Sequence, residues 1–321
     1  MSNIRKISPA SFRSPSVPED HLTSKVLMIR PVQFGFNKET AVNNAFQKRG
    51  DGDVQNLALA EFNRFVALLE SNGIEVVVVE DTDSPHTPDS IFPNNWFSTH
   101  STGELVLYPM CAPNRRHERK ETPLNVIKKL GKMGCMKRVI DLSGWEAEGC
   151  FLEGTGSMVL DRANKIAFVC KSPRSDESVL ARFCEELDYS YHYFEAYDSS
   201  MSLVYHTNVM MCMGNSFVVV CLDSIRDNGG KGVFIEIVKK CGKEIVDISI
   251  EQMEKFAGNM LQLKSQNGES ILVMSSTAKN SLNGGQIETL GKNCKIIAPE
   301  INTIETNGGG SARCMLAELF F

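Results

Sequence analysis

From Val26 onward, apolar and polar positions alternate in two periods. The segments 26–30 and 74–79 are short apolar runs, the second strongly β-branched, which predicts strands. Between them Phe62, Phe65, Val66, Leu68 and Leu69 recur at helical spacing. A helix is therefore predicted over 60–72, with Gly73 placed as its C-cap. The same order returns downstream. A strand is predicted at 104–108, a helix at 124–130 and a strand at 138–142. A hairpin of 157–160 with 166–170 turns at Arg162-Ala163-Asn164, followed by a helix at 178–187 and a strand at 189–194. A second hairpin, 209–213 with 217–221, turns at Gly214-Asn215. Helices at 233–240 and 250–256 and strands at 270–274 and 295–298 follow, and the C-terminal residues read as helical or extended. The sequence strand, hairpin, helix, strand recurs about every 50–60 residues, a period that suggests modules arranged in a ring. Helices falling between strands favour α/β over α+β. A doubly wound sheet is the alternative that periodicity leaves open.

Composition narrows the function classes. With 42% hydrophobic and 23% charged residues in 321, the chain has the apolar content for a sizeable core. No apolar run approaches the roughly 20 residues of a membrane helix. A net charge of −5 gives no electrostatic reason to bind nucleic acid. Ten cysteines occur without CxxC spacing, which argues against a zinc site. The first residues carry no apolar signal region and no Asn-x-Ser/Thr acceptor occurs, so free thiols in a reducing cytoplasm are expected. The Pro- and Ser-rich residues 1–24 read as a loose tail, and 25–321 as one domain.

The densest chemical signal is Asn307-Gly308-Gly309-Gly310-Ser311-Ala312-Arg313-Cys314-Met315. Three glycines allow a backbone to approach a ligand closely, and a thiol follows. The phosphate-loop pattern GxxxxGK[ST] is absent. What remains is either a nucleophilic Cys314 or a tight turn before a buried thiol. A thiol nucleophile needs a base. Among six histidines, His21 lies in the tail, His86 and His117 in polar loops, and His192 inside an aromatic strand where it reads as packing. His100 ends a predicted strand. His206, in Tyr205-His206-Thr207-Asn208, stands at a polar tip before an apolar run, a suitable place for a general acid/base. Two further stretches have the character of tip loops: Phe151-Leu152-Glu153-Gly154-Thr155-Gly156-Ser157, and Pro88-Asp89-Ser90-Ile91-Phe92-Pro93-Asn94-Asn95-Trp96-Phe97.

Taken in order, these four stretches resemble the amidinotransferase-type, guanidino-group-modifying superfamily. It includes arginine deiminase, dimethylarginine dimethylaminohydrolase and the arginine dihydrolases, and the similarity is nearest to its citrulline-utilisation hydrolase branch. The resemblance spans about Val26 to Cys314. It implies the pentein fold, a five-bladed pseudo-symmetric α/β propeller of ββαβ modules, which agrees with the repeat. It also implies Cys314 as nucleophile, His206 as general acid/base, and Glu153 as the carboxylate that binds substrate nitrogen and raises the histidine's pKa. By the same resemblance Arg116, with Arg115 as the alternative, and Arg174 hold the substrate α-carboxylate, and Asp89 meets its α-ammonium. Two-point pairing suits guanidinium to carboxylate.

The departures from the family pattern bear on the substrate. Arginine-using relatives carry a carboxylate at the position of Asn95, although some dihydrolases also carry Asn there, and deiminases carry another at Asn208, so it is Asn208 that tilts the reading toward a neutral substrate. A buried guanidinium needs carboxylate partners, whereas a neutral ureido group is served by amides, which both donate and accept. The expected activity is hydrolysis of citrulline to ornithine, CO2 and ammonia through a thiocarbamate on Cys314. An arginine dihydrolase is the runner-up, followed by an arginine deiminase or a dimethylarginine dimethylaminohydrolase-like enzyme. A binding module on the same fold is the non-enzymatic alternative. No cofactor or metal is required. The expected partner is a small amino-acid substrate, with no nucleic acid and no membrane, and a homodimer is the default. The 31–53 loop, with Phe34, Phe36, Asn43 and Asn44, reads either as a lid or as an ordinary surface loop.

Overall fold

The computed structural model describes residues 21–50, 52–134 and 136–321. Among the described residues, fifteen strands form five three-stranded sheets. Four of them share one plan: a hairpin, a helix, and a third strand parallel to the second. Phe97–Thr99 pairs antiparallel with Glu104–Leu107, the helix Glu121–Met133 crosses over, and Arg138–Asp141 returns parallel. Met158–Asp161, Ile166–Cys170 and Ser190–Phe194 repeat this around the helix Glu177–Leu187. Met211–Met213, Phe217–Val220 and Glu244–Asp247 do so around Asn228–Lys240. Leu261–Lys264, Ser270–Val273 and Lys295–Ile297 do so around Gly284–Asn293. In the fifth sheet the first strand comes from the far end of the chain. Ala317–Glu318 pairs antiparallel with Lys25–Arg30, which runs parallel to Glu75–Glu80. A parallel pair cannot be joined by a tight turn, so each sheet requires its crossover helix.

The first strands of the sheets meet at the centre: Ala317–Glu318 packs on Phe97–Thr99, and Met211–Met213 on both Met158–Asp161 and Leu261–Lys264. This is a five-bladed α/β propeller. Its middle strands are covered on both faces, and Leu27, Val106, Phe168, Val219 and Leu272 are fully buried. The helix Val54–Ser71 begins at Asp53, whose side chain accepts from Asn56 N, and buries Ala58, Phe62, Phe65, Val66 and Leu69 at helical spacing. Its Glu61 is also buried and accepts the free N–H groups of Thr303 and Ile304 (2.9 and 3.0 Å). Those bonds satisfy orphan donors at the start of the helix Asn302–Gly308, which leads into the glycine run.

Several elements differ from the sequence reading. The apolar run 209–213 is divided: Thr207–Met210 forms a helical turn and only Met211–Met213 extends. His206 therefore caps a helical turn rather than standing directly before a strand. The strands Glu244–Asp247 and Leu261–Lys264 escape the pattern because runs of four residues show no period, whereas Phe97–Thr99 is the strand ahead of His100 and Ala317–Glu318 the extended form of the C-terminal residues. The helix Gly284–Asn293 escapes it because it buries one residue, Leu290, and is set instead by a capping box between Asn283 and Gln286. Of the tail expected over 1–24, the first twenty residues lie outside those described, while Thr23 is buried and its carbonyl accepts from Lys264 N (3.0 Å). No helix of the described residues is long and apolar enough to cross a membrane, and no disulfide joins the nine described cysteines.

Candidate active site

Each blade presents a turn just before its first strand, the one nearest the axis, and the site is built from these five turns. Asn95 closes the turn Pro93–Asn95 ahead of Phe97, and Glu153 opens the turn Gly154–Ser157 ahead of Met158. His206 and Asn208 flank the start of Thr207–Met210, Asn259 precedes Leu261, and Cys314 lies in Ala312–Met315 ahead of Ala317. Fivefold repetition thus converges chemically different side chains near one axis. Asn95, Arg115, Arg174, His206, Asp89 and Cys314 line one small cavity of about 20 Å³, room for little more than a water molecule.

Glu153 is fully buried. Its Oε2 accepts from His206 Nε2 (2.8 Å) and Arg174 Nη1 (3.4 Å), and its Oε1 from Cys111 N (3.0 Å). Burial works to raise its pKa, but Arg174, His206 and Arg115 outweigh burial and hold the carboxyl well below the usual range. A carboxylate only accepts, so Nε2 carries the proton and Nδ1 the lone pair. Nδ1 lies over Gly156. A Cβ there would stand 2.8 Å from it and 2.2 Å from Asn95 Nδ2, so only glycine allows this approach.

The carboxylate raises the histidine's pKa as expected, but the net shift is downward. Burial dominates and lowers His206 to about 4, with Glu153 opposing only in part. The folded state therefore holds a neutral histidine while the unfolded chain takes up a proton near the ordinary value of 6.5. The stability this provides is complete above pH 6.5 and is lost as pH falls toward 4. By pH 5 the loss is about 2 kcal/mol. In urea unfolding at pH 7 and pH 5, the wild type should lose about that much more than His206→Gln. Equal losses would mean that the folded histidine is not held neutral.

Arg116 does not reach the cavity, and that assignment is corrected. Its guanidinium donates to the carbonyls of Met110 and Cys111 and lies over the Phe151 ring (5.6 Å). Arg115 points inward instead. It donates to both Glu118 oxygens (2.7 and 3.0 Å), to Phe92 O (3.2 Å) and, through Nη1, to Asn95 Oδ1 (2.9 Å). Successive residues on a helical turn point about 100° apart, so one of the pair faces out. Arg174 donates to Asn43 Oδ1, Thr40 O and Glu153, and stacks over Tyr205 (5.0 Å). Asp89 Oδ2 accepts from Asn37 (2.7 Å) and Thr40 (3.0 Å), while its buried Oδ1 has no partner. Burial raises its pKa, with Arg115 opposing.

Within the loop 31–53, the segment 37–47 is thereby fastened across the cavity rather than lying free on the surface. Besides those contacts, Asn44 Nδ2 donates to Gly309 O (3.3 Å) and Gln47 Nε2 to Asn307 O (2.8 Å). Cys314 is 4% exposed, and its Sγ lies 3.4 Å from Asn208 Nδ2 and 3.3 Å from Asn259 Nδ2. Asn208, expected to meet the substrate, does not line the cavity that holds Cys314 and instead borders a second, axial cavity lined by the strands nearest the axis. Asn259 belongs to no motif singled out in the sequence. Aligning the blades would have shown it, since a polar residue stands two or three positions before strands nearest the axis, as with Asn95, Asn208, Asn259 and Cys314. His192 packs against Phe194 (5.2 Å), away from this group. Among the described residues, no group of three or more His, Cys, Asp or Glu is arranged to hold a metal ion.

A family model described as N,N dimethylarginine dimethylhydrolase, eukaryotic, matches residues 30–321. The chain belongs to that family. As a dimethylarginine dimethylhydrolase family member it is a hydrolase acting on carbon–nitrogen bonds, and the binding-module alternative is set aside. No curated protein sequence matches it. The solved structures it resembles share its fold. The N-terminal domain of ArgZ, described as an arginine dihydrolase from the ornithine-ammonia cycle in cyanobacteria, superposes with a TM-score of 0.70 at 16% identity, covering 92% of this chain and 99% of that one. Against longer ArgZ the chain spans 40% of its length. A dimethylarginine dimethylaminohydrolase with one histidine replaced by glycine, solved as an adduct with S-methyl-L-thiocitrulline, gives 0.62 at 12% identity, covering 93% and 100%.

Proposed function

We propose that this family member hydrolyses the ureido group of citrulline. The observation that carries the reading is the orientation of Asn95. Arg115 only donates, so the Asn95 atom it meets at 2.9 Å is the oxygen, and the amide nitrogen is left buried without a partner. A guanidinium, also donor-only, offers that nitrogen nothing. A ureido carbonyl accepts from it, and more strongly as negative charge develops on the oxygen during attack. The charge balance supports the same choice. Glu153, the carboxylate paired with His206, already receives His206, Arg174 and Cys111, and Asn208 rather than an acid stands at the sulfur. A substrate cation there would be poorly compensated.

In this reading neutral His206 takes the proton of Cys314, and the thiolate attacks the ureido carbon. His206 returns the proton to departing ammonia, leaving a thiocarbamate on sulfur. Water, activated by His206, releases the carbamate, which loses CO2 to give ornithine. The unpartnered Asp89 Oδ1 suits the substrate α-ammonium. The substrate carboxylate would take the place of the Asn43 carboxamide on Arg174, which requires the 37–47 segment to open first.

Incubation with citrulline, arginine and dimethylarginine, with assay of ornithine, citrulline and ammonia, tests the proposal. Ornithine from citrulline alone is expected. Ornithine from arginine as well would identify a dihydrolase, and citrulline accumulating from a guanidino substrate would overturn the reading. Asn95→Asp should cost citrulline turnover about 10²–10³-fold, the usual effect of losing one oxyanion donor, while arginine turnover rises. Unchanged selectivity would remove the basis of the amide argument.

A further inference from the structure

The turn that carries Asn259 is held in an unusual backbone. Phe256 has φ +61° without being glycine, a conformation L-residues adopt only when the surroundings impose it. Two residues on, Gly258 lies so close to the 209–211 backbone that a Cβ would stand 2.3 Å from Val209 O. These two features press the turn against the segment that bears Asn208. Asn259, 1% exposed, then reaches three groups. Its Oδ1 accepts from Arg313 N (3.0 Å), which fixes which end of the amide is oxygen, and stands farther from Cys314 Sγ (3.7 Å) than Nδ2 does. Its Nδ2 has two hydrogens, one on Asn208 O (2.9 Å) and one directed at Cys314 Sγ (3.3 Å).

We propose that Asn259 is a further catalytic residue, whose carboxamide N–H stabilises the negative charge that the Cys314 sulfur acquires when His206 takes its proton. The assignment rests on Cys314 being the attacking thiol. An N–H donor stabilises the charged form of an acceptor more than its neutral form. A sulfur that is nearly enclosed lacks the water that would otherwise do this, so a fixed amide supplies the missing donor. Because Oδ1 is committed to the backbone of the residue next to the nucleophile, the same side chain also fixes where the sulfur sits. Asn208 adds a second N–H at 3.4 Å, but its Oδ1 has no partner and so its amide is less firmly oriented.

The test is the pH profile of iodoacetamide alkylation at Cys314, followed by peptide mass mapping in the full chain. The variants are Asn259→Asp and Asn259→Ala. Aspartate keeps the shape and the acceptor for Arg313 N–H but replaces the donor at the sulfur with an oxygen. Both profiles should move to higher pH by about one unit, a tenfold loss of reactive thiolate at pH 7. Citrulline kcat should fall by at least about tenfold with KM nearly unchanged, since only the attacking group is affected. A merely structural asparagine would lower the melting temperature without moving the alkylation profile. A folded Asn259→Asp protein alkylated like the wild type would overturn the assignment while leaving the proposed function intact. A wild-type Cys314 that is not alkylated at any pH would instead remove the proposed function, and this role with it.

Discussion

Cys314→Ala should leave a folded protein with turnover reduced by about 10⁴–10⁶-fold, the range for loss of a covalent nucleophile. The expectation follows from the surroundings of the sulfur. Two amide nitrogens point at it, and His206 lines the same cavity. Among the described residues, no other thiol lines that cavity. Cys111 is the cysteine tied to Glu153, through its backbone N–H, and burial together with the Glu153 charge pushes its thiol up, away from the reactive form. The alanine removes one buried atom group and leaves no charge unpaired, so substrate binding should persist. Calorimetric titration with citrulline alongside the ornithine assay separates the two effects. Turnover within tenfold of wild type would rule out covalent catalysis at this position.

Arg115→Ala and Arg116→Ala should differ sharply although the residues are adjacent. Arg115 is 3% exposed and neutralises Glu118, which is 1% exposed, in a two-point pair, with Asp89 3.9 Å away. Removing it strands buried carboxylates and should cost about 3–5 kcal/mol of stability. It should also abolish the preference for a neutral head group, because nothing then dictates which end of Asn95 is oxygen. Arg116 is partly exposed and 3.8 Å from Glu146, a type of contact worth at most about 1 kcal/mol. Urea unfolding of both variants checks this. Equal destabilisation would mean that the inward arginine has been misassigned.

The sequence made parts of this site legible because their chemistry is local. Glycines before a thiol, a histidine at a polar tip and a glutamate at a glycine turn each announce themselves within a few residues. The family resemblance then ordered them, and the propeller followed. What stayed hidden depends on phase or on distant packing. Nothing in Asn114-Arg115-Arg116 tells which guanidinium faces the cavity until the turn Pro113–Arg116 is set against Glu118 and Phe92. Asn259 carries no motif, and its importance arises from contacts with residues 51 and 55 positions away. The net shift at His206 stayed hidden for a similar reason. A neighbouring carboxylate can be read from a motif, but the loss of water around both groups cannot.

The shortest strand has a consequence for when the enzyme comes to life. Ala317–Glu318 completes the ring by pairing with Leu27 and Val26, about 290 positions earlier in the chain, only three residues beyond Cys314. The reactive sulfur is therefore seated by the seam itself. A newborn polypeptide on the ribosome would carry most of the pocket but no trustworthy nucleophile, and would be inert until its two ends found each other. Fraying at that seam should silence the enzyme well before the blades come apart.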